Sequence, residues 1–182
     1  RLASGRMRPD PVIVNNLFDI NQHSEIINTF LPLIKTDHVY DSNFGRYYSS
    51  PDILNKYSDH VLAHAKKIFN SNTLVPSYFL FSHYEGKEAS LFKHIDDNAC
   101  TYTIDYCLYQ SEPWDIFIED KAYTLNENDA VCFYGEEQFH WRESFPNPES
   151  QKVGMIFFHF VEPDHWYITK GPEYIHEIRS SK

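Results

Sequence analysis

The sequence has few cysteines, little positive charge and no long hydrophobic run, and each shortage excludes a class of protein. Its three cysteines show no Cys-x-x-Cys spacing and leave one thiol unpaired in any disulfide scheme, which favours reduced thiols and a cytoplasmic protein. No apolar run approaches the roughly 20 residues that span a bilayer, so no membrane is expected as a partner. The chain has 16 basic and 26 acidic residues, which gives a net charge of −10. This charge repels polyanions, so no nucleic acid is expected as a partner either.

Aromatic residues, in contrast, are abundant. The chain has 14 Phe and 13 Tyr, and strands accommodate such side chains better than helices do. At 182 residues the chain is long enough for one domain with a substantial core. Residues 1–10 include basic residues that no apolar stretch follows, so we interpret them as a leader or a cloning remnant and residues 11–182 as a single domain.

Helical and extended patterns divide this domain. Residues 11–18 suit an opening strand, and apolar side chains recur at helical spacing over 22–34 and 51–69. After Pro76, short runs rich in aromatic and β-branched residues follow one another, at 77–84, 101–109, 114–118, 121–125, 130–134, 138–144 and 152–161. This order predicts a mostly β protein in which N-terminal helices precede a double-sheet β core at about 77–161.

A metal-binding pattern lies inside the predicted core. His94 and Asp96 stand two residues apart, and residues i and i+2 of an extended chain share a face, so both side chains can point at one ion. Because ten His and 13 Asp produce about 0.7 His-x-Asp pairs by chance, the pair alone is weak. His140 strengthens it, since this residue follows a turn and begins a later strand. Two His and one carboxylate leave octahedral positions open, an arrangement typical of non-haem Fe(II).

The order of motifs in residues 77–161 resembles the double-stranded β-helix (jelly-roll or cupin-like) core of the 2-oxoglutarate/Fe(II) dioxygenases, and within them the prolyl-hydroxylase-like branch. The matching segments are Tyr84-x-Gly86, His94-x-Asp96, the strand 101–109, the run 125–133 before the distal His140, and the final strand 152–158, which begins with a basic residue. The chain departs from the family at 114–118, where two glycines are frequent, and at Gly154, where Ser or Thr is frequent.

This resemblance implies an enzyme that binds Fe(II) through His94, Asp96 and His140. It implies 2-oxoglutarate and O₂ as co-substrates and ascorbate as a candidate reductant. An intact Asp96 fills the coordination position that chloride takes in related halogenases, so hydroxylation is favoured over halogenation, while desaturation and ring closure stay open.

The resemblance also implies residues that bind 2-oxoglutarate. Lys152, at the head of the final strand, is the preferred partner for its distal carboxylate. Arg142 is the rival, because it shares the inward face with His140 and forms bidentate pairs with carboxylates. Tyr106 corresponds best to an assisting tyrosine of the family, and Tyr84 is expected to line the iron side of the pocket.

Other interpretations of these residues stay open. Both tyrosines are equally well explained as core residues, and His83 and His159 as core hydrogen-bonding partners. A β-barrel protein that binds a metal or ligand without turnover is one alternative function. A zinc-dependent hydrolase or isomerase, with Glu136 or Glu137 as the base, is another. The sequence does not name the substrate: proline or another amino acid, a peptide or a small metabolite each fits, with residues 43–48 offering aromatic and cationic contacts.

Overall fold

The computed structural model describes residues 8–96 and 99–182, which form two antiparallel sheets. The described strands are β1 (Val12–Val14), β2 (Val39–Asp41), β3 (Arg46–Ser49), β4 (Val75–Glu85), β5 (Leu91–His94), β6 (Tyr102–Gln110), β7 (Ile116–Ile118), β8 (Lys121–Tyr123), β9 (Ala130–Phe133), β10 (His140–Arg142) and β11 (Lys152–Val161). The large sheet has the order β1-β9-β6-β11-β4-β3-β2 and the small sheet the order β5-β10-β7-β8. This arrangement confirms the predicted mostly β, double-sheet architecture.

Two helices precede the core strands, with bounds that differ from the sequence prediction. Helix α1 (Ile20–Phe30) begins after Asp19, whose carboxylate accepts a hydrogen bond from the N–H of Gln22 at 2.8 Å, so the first turn is capped. The predicted continuation through Pro32 is a 3₁₀ turn instead, because proline offers no N–H to an α-helix. The second helix starts with a 3₁₀ segment (Asp52–Tyr57) before α2 (Ser58–Ile68).

Two short helices, α3 (Trp166–Thr169) and α4 (Ile175–Ser180), follow the last strand. Among the described residues, no helix combines the length and the apolar character that a membrane crossing requires.

Strand β11 shows how the large sheet separates two layers of core. Its residues Ile156, Phe158 and Phe160 pack in the same buried cluster as apolar residues of α1 and α2. Val153 and Met155 of the same strand belong to a second cluster that includes residues of the small sheet. Because successive side chains of a strand alternate between faces, the large sheet presents one face to the helices and the other to the interior between the sheets.

The end of the segment interpreted as a leader contacts the domain. Arg8 donates a hydrogen bond to Glu137 at 3.0 Å, and its guanidinium lies 4.3 Å from the centre of the Tyr134 ring. Residues 8–10 therefore pack with the domain, while residues 1–7 lie outside the described part of the chain.

Candidate metal centre

Three predicted ligands converge at one end of the interior. His94 is the last residue of β5 and His140 the first of β10, and the two residues are direct partners in the antiparallel pairing of these strands. Asp96 follows two residues after His94, and its Oδ1 lies 3.3 Å from Nε2 of each histidine. The three donor atoms lie within 4.8 Å of one another, close enough to bind one ion.

Backbone carbonyls fix the orientation of both imidazole rings. Nδ1 of His94 is 2.6 Å from the carbonyl oxygen of Phe92, and Nδ1 of His140 is 2.9 Å from that of Gln138. When Nδ1–H donates to these carbonyls, Nε2 of each ring keeps its lone pair and faces Asp96, as metal-binding histidines require. The N–H of Asp96 donates to the carbonyl of Gly135 at 2.8 Å, which holds the chain after β5 beside the turn before β10.

The charge states of the cluster also suit a metal ion. Burial raises the pKa of Asp96, but hydrogen bonds from His140 and His94 outweigh burial and hold that pKa well below its ordinary value. Burial is the largest single effect and lowers the pKa of His140, but the hydrogen bond with Asp96, the negative charge of Asp96 and the hydrogen bond to the backbone of Gln138 together leave that pKa raised. The anionic carboxylate therefore attracts positive charge, which a divalent cation supplies once the imidazoles are neutral.

The three residues line a cavity of about 180 Å³ between the sheets. Its lining residues are Phe44, Arg46, Tyr78, Leu80, Tyr84, Leu91, His94, Asp96, Cys100, Asp105, His140, Phe157 and His159. The cavity thus brings together a metal-ligand set, one guanidinium and several aromatic side chains, which is the composition of a small-molecule site.

Comparisons with known proteins identify the fold. No protein-family model and no curated protein matches the chain. Among solved structures, the non-haem, α-ketoglutarate-dependent epimerase SnoN from nogalamycin biosynthesis has a TM-score of 0.68 at 13% identity, over 84% of this chain and 77% of its own. HygX from Streptomyces hygroscopicus, solved with nickel and 2-oxoglutarate bound, has a TM-score of 0.66 at 10% identity, over 85% and 83%. A Pseudomonas putida prolyl-4-hydroxylase has a TM-score of 0.62 at 11% sequence identity, over 82% of this chain and 91% of its own.

The chain has the fold of the 2-oxoglutarate/Fe(II) oxygenases. The expected double-stranded β-helix is thereby confirmed, although the identities are too low to carry a substrate from these proteins to this one.

Within this oxygenase fold, two of the residues predicted to bind 2-oxoglutarate lie on the wrong face of the large sheet. Lys152 is exposed and lines surface grooves with Glu85 on the far side from the triad. Tyr106 packs in the helix-facing cluster, where its hydroxyl donates to Oδ1 of Asn128 at 2.9 Å. The structure therefore brings neither residue to the cavity, because the side chains of both alternate to the opposite face from those that reach the cavity.

The other two residues predicted to bind 2-oxoglutarate, Tyr84 and Arg142, are buried in the interior of the protein. Tyr84 lines the cavity, as expected. Arg142 is buried, with its guanidinium carbon 4.8 Å from the centre of the Trp114 ring and Nη1 donating to the Trp114 carbonyl. Among the described residues, no carboxylate oxygen lies within 4.0 Å of the Arg142 guanidinium, the limit for an ion pair. Burial lowers the pKa of Arg142.

The sequence reasoning missed Asp105, gave His159 only a core role, and named Arg46 only as part of the segment 43–48 that offers aromatic and cationic contacts. Asp105 is buried on the inward face of β6, and burial raises the pKa of its carboxyl to about 7. His159 was expected to hydrogen-bond within the core; it forms a hydrogen bond with the backbone of Tyr78, while its buried Nδ1 has no hydrogen-bond partner among the described residues. Arg46 lies on a strand outside the predicted core. A charged residue in the middle of an apolar strand, as in 101–109, is the signal that would have indicated Asp105.

Proposed function

We propose that the protein is an Fe(II)- and 2-oxoglutarate-dependent oxygenase that hydroxylates a C–H bond of a small-molecule or peptide substrate, with release of succinate and CO₂. The observation that carries the proposal is the convergence of His94, Asp96 and His140 on one point of the cavity. Two imidazoles and one carboxylate fit Fe(II) and leave coordination positions for a chelating co-substrate and O₂.

Arg142 is the residue we propose to bind the distal carboxylate of 2-oxoglutarate. It stands two residues after His140 on β10, so their Cα atoms are about 7 Å apart on the same inward face. Its buried guanidinium has no carboxylate partner among the described residues, and a buried charge without a partner is costly. A dicarboxylate held at one end by the triad would supply that partner at its other end, through a charge-assisted pair.

The proposed metal ligands and the apolar walls of the cavity have distinct roles in this proposal. With 2-oxoglutarate and O₂, bound iron would supply the oxidant. His94, Asp96 and His140 would hold the ion, and the carbonyls of Phe92 and Gln138 would keep the imidazoles in the binding tautomer. The apolar walls would exclude water from the reacting centre, which strengthens the ionic contacts and protects reactive species.

The zinc-hydrolase alternative has less support, because neither candidate base lines the cavity. The carboxylate of Glu136 accepts hydrogen bonds from the N–H of Cys100 and the hydroxyl of Thr101, at 3.2 and 3.4 Å. Glu137 forms an ion pair with Arg8. Both glutamates therefore have structural partners away from the metal ligands, whereas hydrolysis needs a base beside the metal-bound water.

Anaerobic titration tests the proposal. Adding Fe(II) and then 2-oxoglutarate to the protein is expected to produce the visible charge-transfer band of the iron chelate. Metal-replete protein that shows no such band would refute the enzyme assignment. A succinate-release screen against amino acids and proline-containing peptides then addresses the substrate.

Arg142→Met tests the proposed anchor, with Lys152→Met as the matched control. Loss of a charge-assisted pair is expected to raise the Kd for 2-oxoglutarate about ten- to hundredfold in Arg142→Met. Lys152→Met removes an exposed cation outside the cavity and should change this Kd by less than about twofold. Methionine fills much of the buried volume without a charge, so Arg142→Met should fold. The opposite ranking of the two variants would restore Lys152 as the anchor.

A further inference from the structure

Arg46 places a guanidinium in the wall of the cavity. It begins β3 and pairs directly with Tyr84 of β4. Directly paired residues of neighbouring strands point to the same face of a sheet, and Tyr84 faces the interior. Arg46 and the metal-ligand set therefore line the same cavity, although Arg46 belongs to a strand that precedes the jelly-roll core.

The side chain of Arg46 is held in one orientation. Its guanidinium carbon lies 4.7 Å from the centre of the Phe44 ring and 5.3 Å from that of Tyr48. Its Nη1 donates to the hydroxyl of Ser82 at 3.3 Å and approaches the hydroxyl of Tyr84 at 3.5 Å. Aromatic contacts of this kind fix the plane of a guanidinium without consuming its hydrogen-bond donors.

Several of those donors remain unused. Nε of Arg46 is buried and forms no hydrogen bond among the described residues. Its ion-pair partner, Oδ2 of Asp41, is 3.6 Å away, beyond hydrogen-bond length. A guanidinium carries five N–H donors arranged to match a planar anion. A preorganised, largely buried cation with unused N–H donors can bind an anion through charge-assisted hydrogen bonds.

Apolar side chains connect this cation to the metal centre. The ring of Phe92 stacks on that of Phe44 at 5.1 Å and meets the ring of His94 edge-on at 5.4 Å. Phe92 is 60% exposed, which is unusually high for a phenylalanine. An apolar group of a ligand could therefore pack against its ring.

We propose that Arg46 binds a carboxylate of the substrate, so that the substrate class is a small organic acid whose apolar body lies against Phe44 and Phe92. This inference rests on the proposed function, because it assigns Arg142 to 2-oxoglutarate and leaves Arg46 for a second anion. The cavity of about 180 Å³ favours a small molecule over a folded protein segment.

Matched acids and amides test the inference by binding rather than turnover. Calorimetric titrations use protein loaded with Ni(II) and 2-oxoglutarate, and the probes are propionate, 3-phenylpropionate and 4-phenylbutyrate, each paired with its primary amide. In the wild type, the acid that binds best should bind about ten- to hundredfold more tightly than its amide, the range of a charge-assisted pair. This preference should fall below about threefold in Arg46→Gln and be partly retained in Arg46→Lys. Lys152→Gln, the control outside the cavity, should keep the full preference.

The Kd for 2-oxoglutarate separates the two proposals. Arg46→Gln should leave it within about threefold of the wild-type value, because Arg142 is still present. Wild-type protein without a preference for any acid over its amide overturns the inference. So does a loss of 2-oxoglutarate binding in Arg46→Gln, since Arg46 would then be the co-substrate anchor. If the wild type does not bind 2-oxoglutarate, the proposed function fails, and the same titrations with Ni(II) alone still decide whether Arg46 binds acids.

Discussion

Gly135 packs so closely against the carboxylate of Asp96 that a single methyl group tests the metal site. A Cβ at position 135 would lie 2.3 Å from Oδ2 of Asp96, 2.6 Å from Oγ1 of Thr103 and 2.8 Å from the carbonyl oxygen of Cys100. Atoms in van der Waals contact stay about 3.5 Å apart. Gly135→Ala must therefore push the carboxylate away by about 1 Å or more, because the other two neighbours restrict movement in other directions.

Gly135→Ala should weaken metal binding more than it destabilises the fold. A carboxylate displaced by about 1 Å no longer meets an ion that His94 and His140 hold, so we expect the Kd for Co(II) to rise at least about a hundredfold, the upper end for lost outer-sphere support. Overpacking should lower the free energy of unfolding by about 1–3 kcal/mol. Co(II) absorption titrations measure the first quantity and urea unfolding of metal-free protein the second.

Gly154→Ala is the matched control. A Cβ there would lie 2.3 Å from the ring of Tyr109, on the helix-facing side of β11, so a comparable clash arises far from the triad. This variant should lose stability but bind Co(II) with wild-type affinity. Wild-type Co(II) affinity in Gly135→Ala would refute the placement of Asp96 as a ligand, whereas equal losses of affinity in both variants would indicate a general effect of destabilisation.

Three further predictions follow from single side chains. In metal-free protein, the folded-state pKa of Asp105 is about 7 against an ordinary value of 3.8, so stability is present below about pH 4 and is lost as the pH rises to 7. Asp105→Asn avoids this loss of up to about 4 kcal/mol, so its Tm advantage should grow between pH 5 and pH 8; a pH-independent difference would contradict the pKa. Asp96→Ala should abolish substrate hydroxylation and Co(II) binding, and retained activity would mean that the carboxylate ligand lies elsewhere. Asp19→Ala should lower the free energy of unfolding by about 1 kcal/mol, measured in urea, through loss of the α1 cap.

The positions of the metal-ligand residues could be predicted from the sequence because each depends on local geometry. His94 and Asp96 point to the same side whenever the chain stays extended from the end of β5 to residue 96. His140 needs only a strand that begins after a turn, and the antiparallel pairing of β5 with β10 then places it opposite His94. Arg142 could be placed by the same rule, since the inward direction of His140 fixes that of the residue two positions later.

The face on which Lys152 and Tyr106 lie could not be predicted in this way. Strands β6 and β11 are buried on both sides, one side by helices and the other by the small sheet. A strand buried on both faces is apolar at nearly every position, so its sequence carries no alternation that shows which residues face the interior. The segment 43–48 was expected to offer cationic contacts, but the place of Arg46 in the cavity wall could not be predicted, because nothing local indicates that β3 joins the edge of β4.

The charges at the cavity support the proposal of an acidic substrate. In the proposed enzyme, a divalent metal bound to the ionised Asp96 would leave one positive charge and Arg142 would add a second, which together would match a 2-oxoglutarate dianion. Burial keeps Asp105 largely protonated below pH 7 and removes it from this balance. Arg46 forms an ion pair with Asp41 among the described residues, at 3.6 Å, which is too distant for a hydrogen bond. The unused N–H donors of Arg46 are therefore the basis for proposing a substrate that brings its own carboxylate.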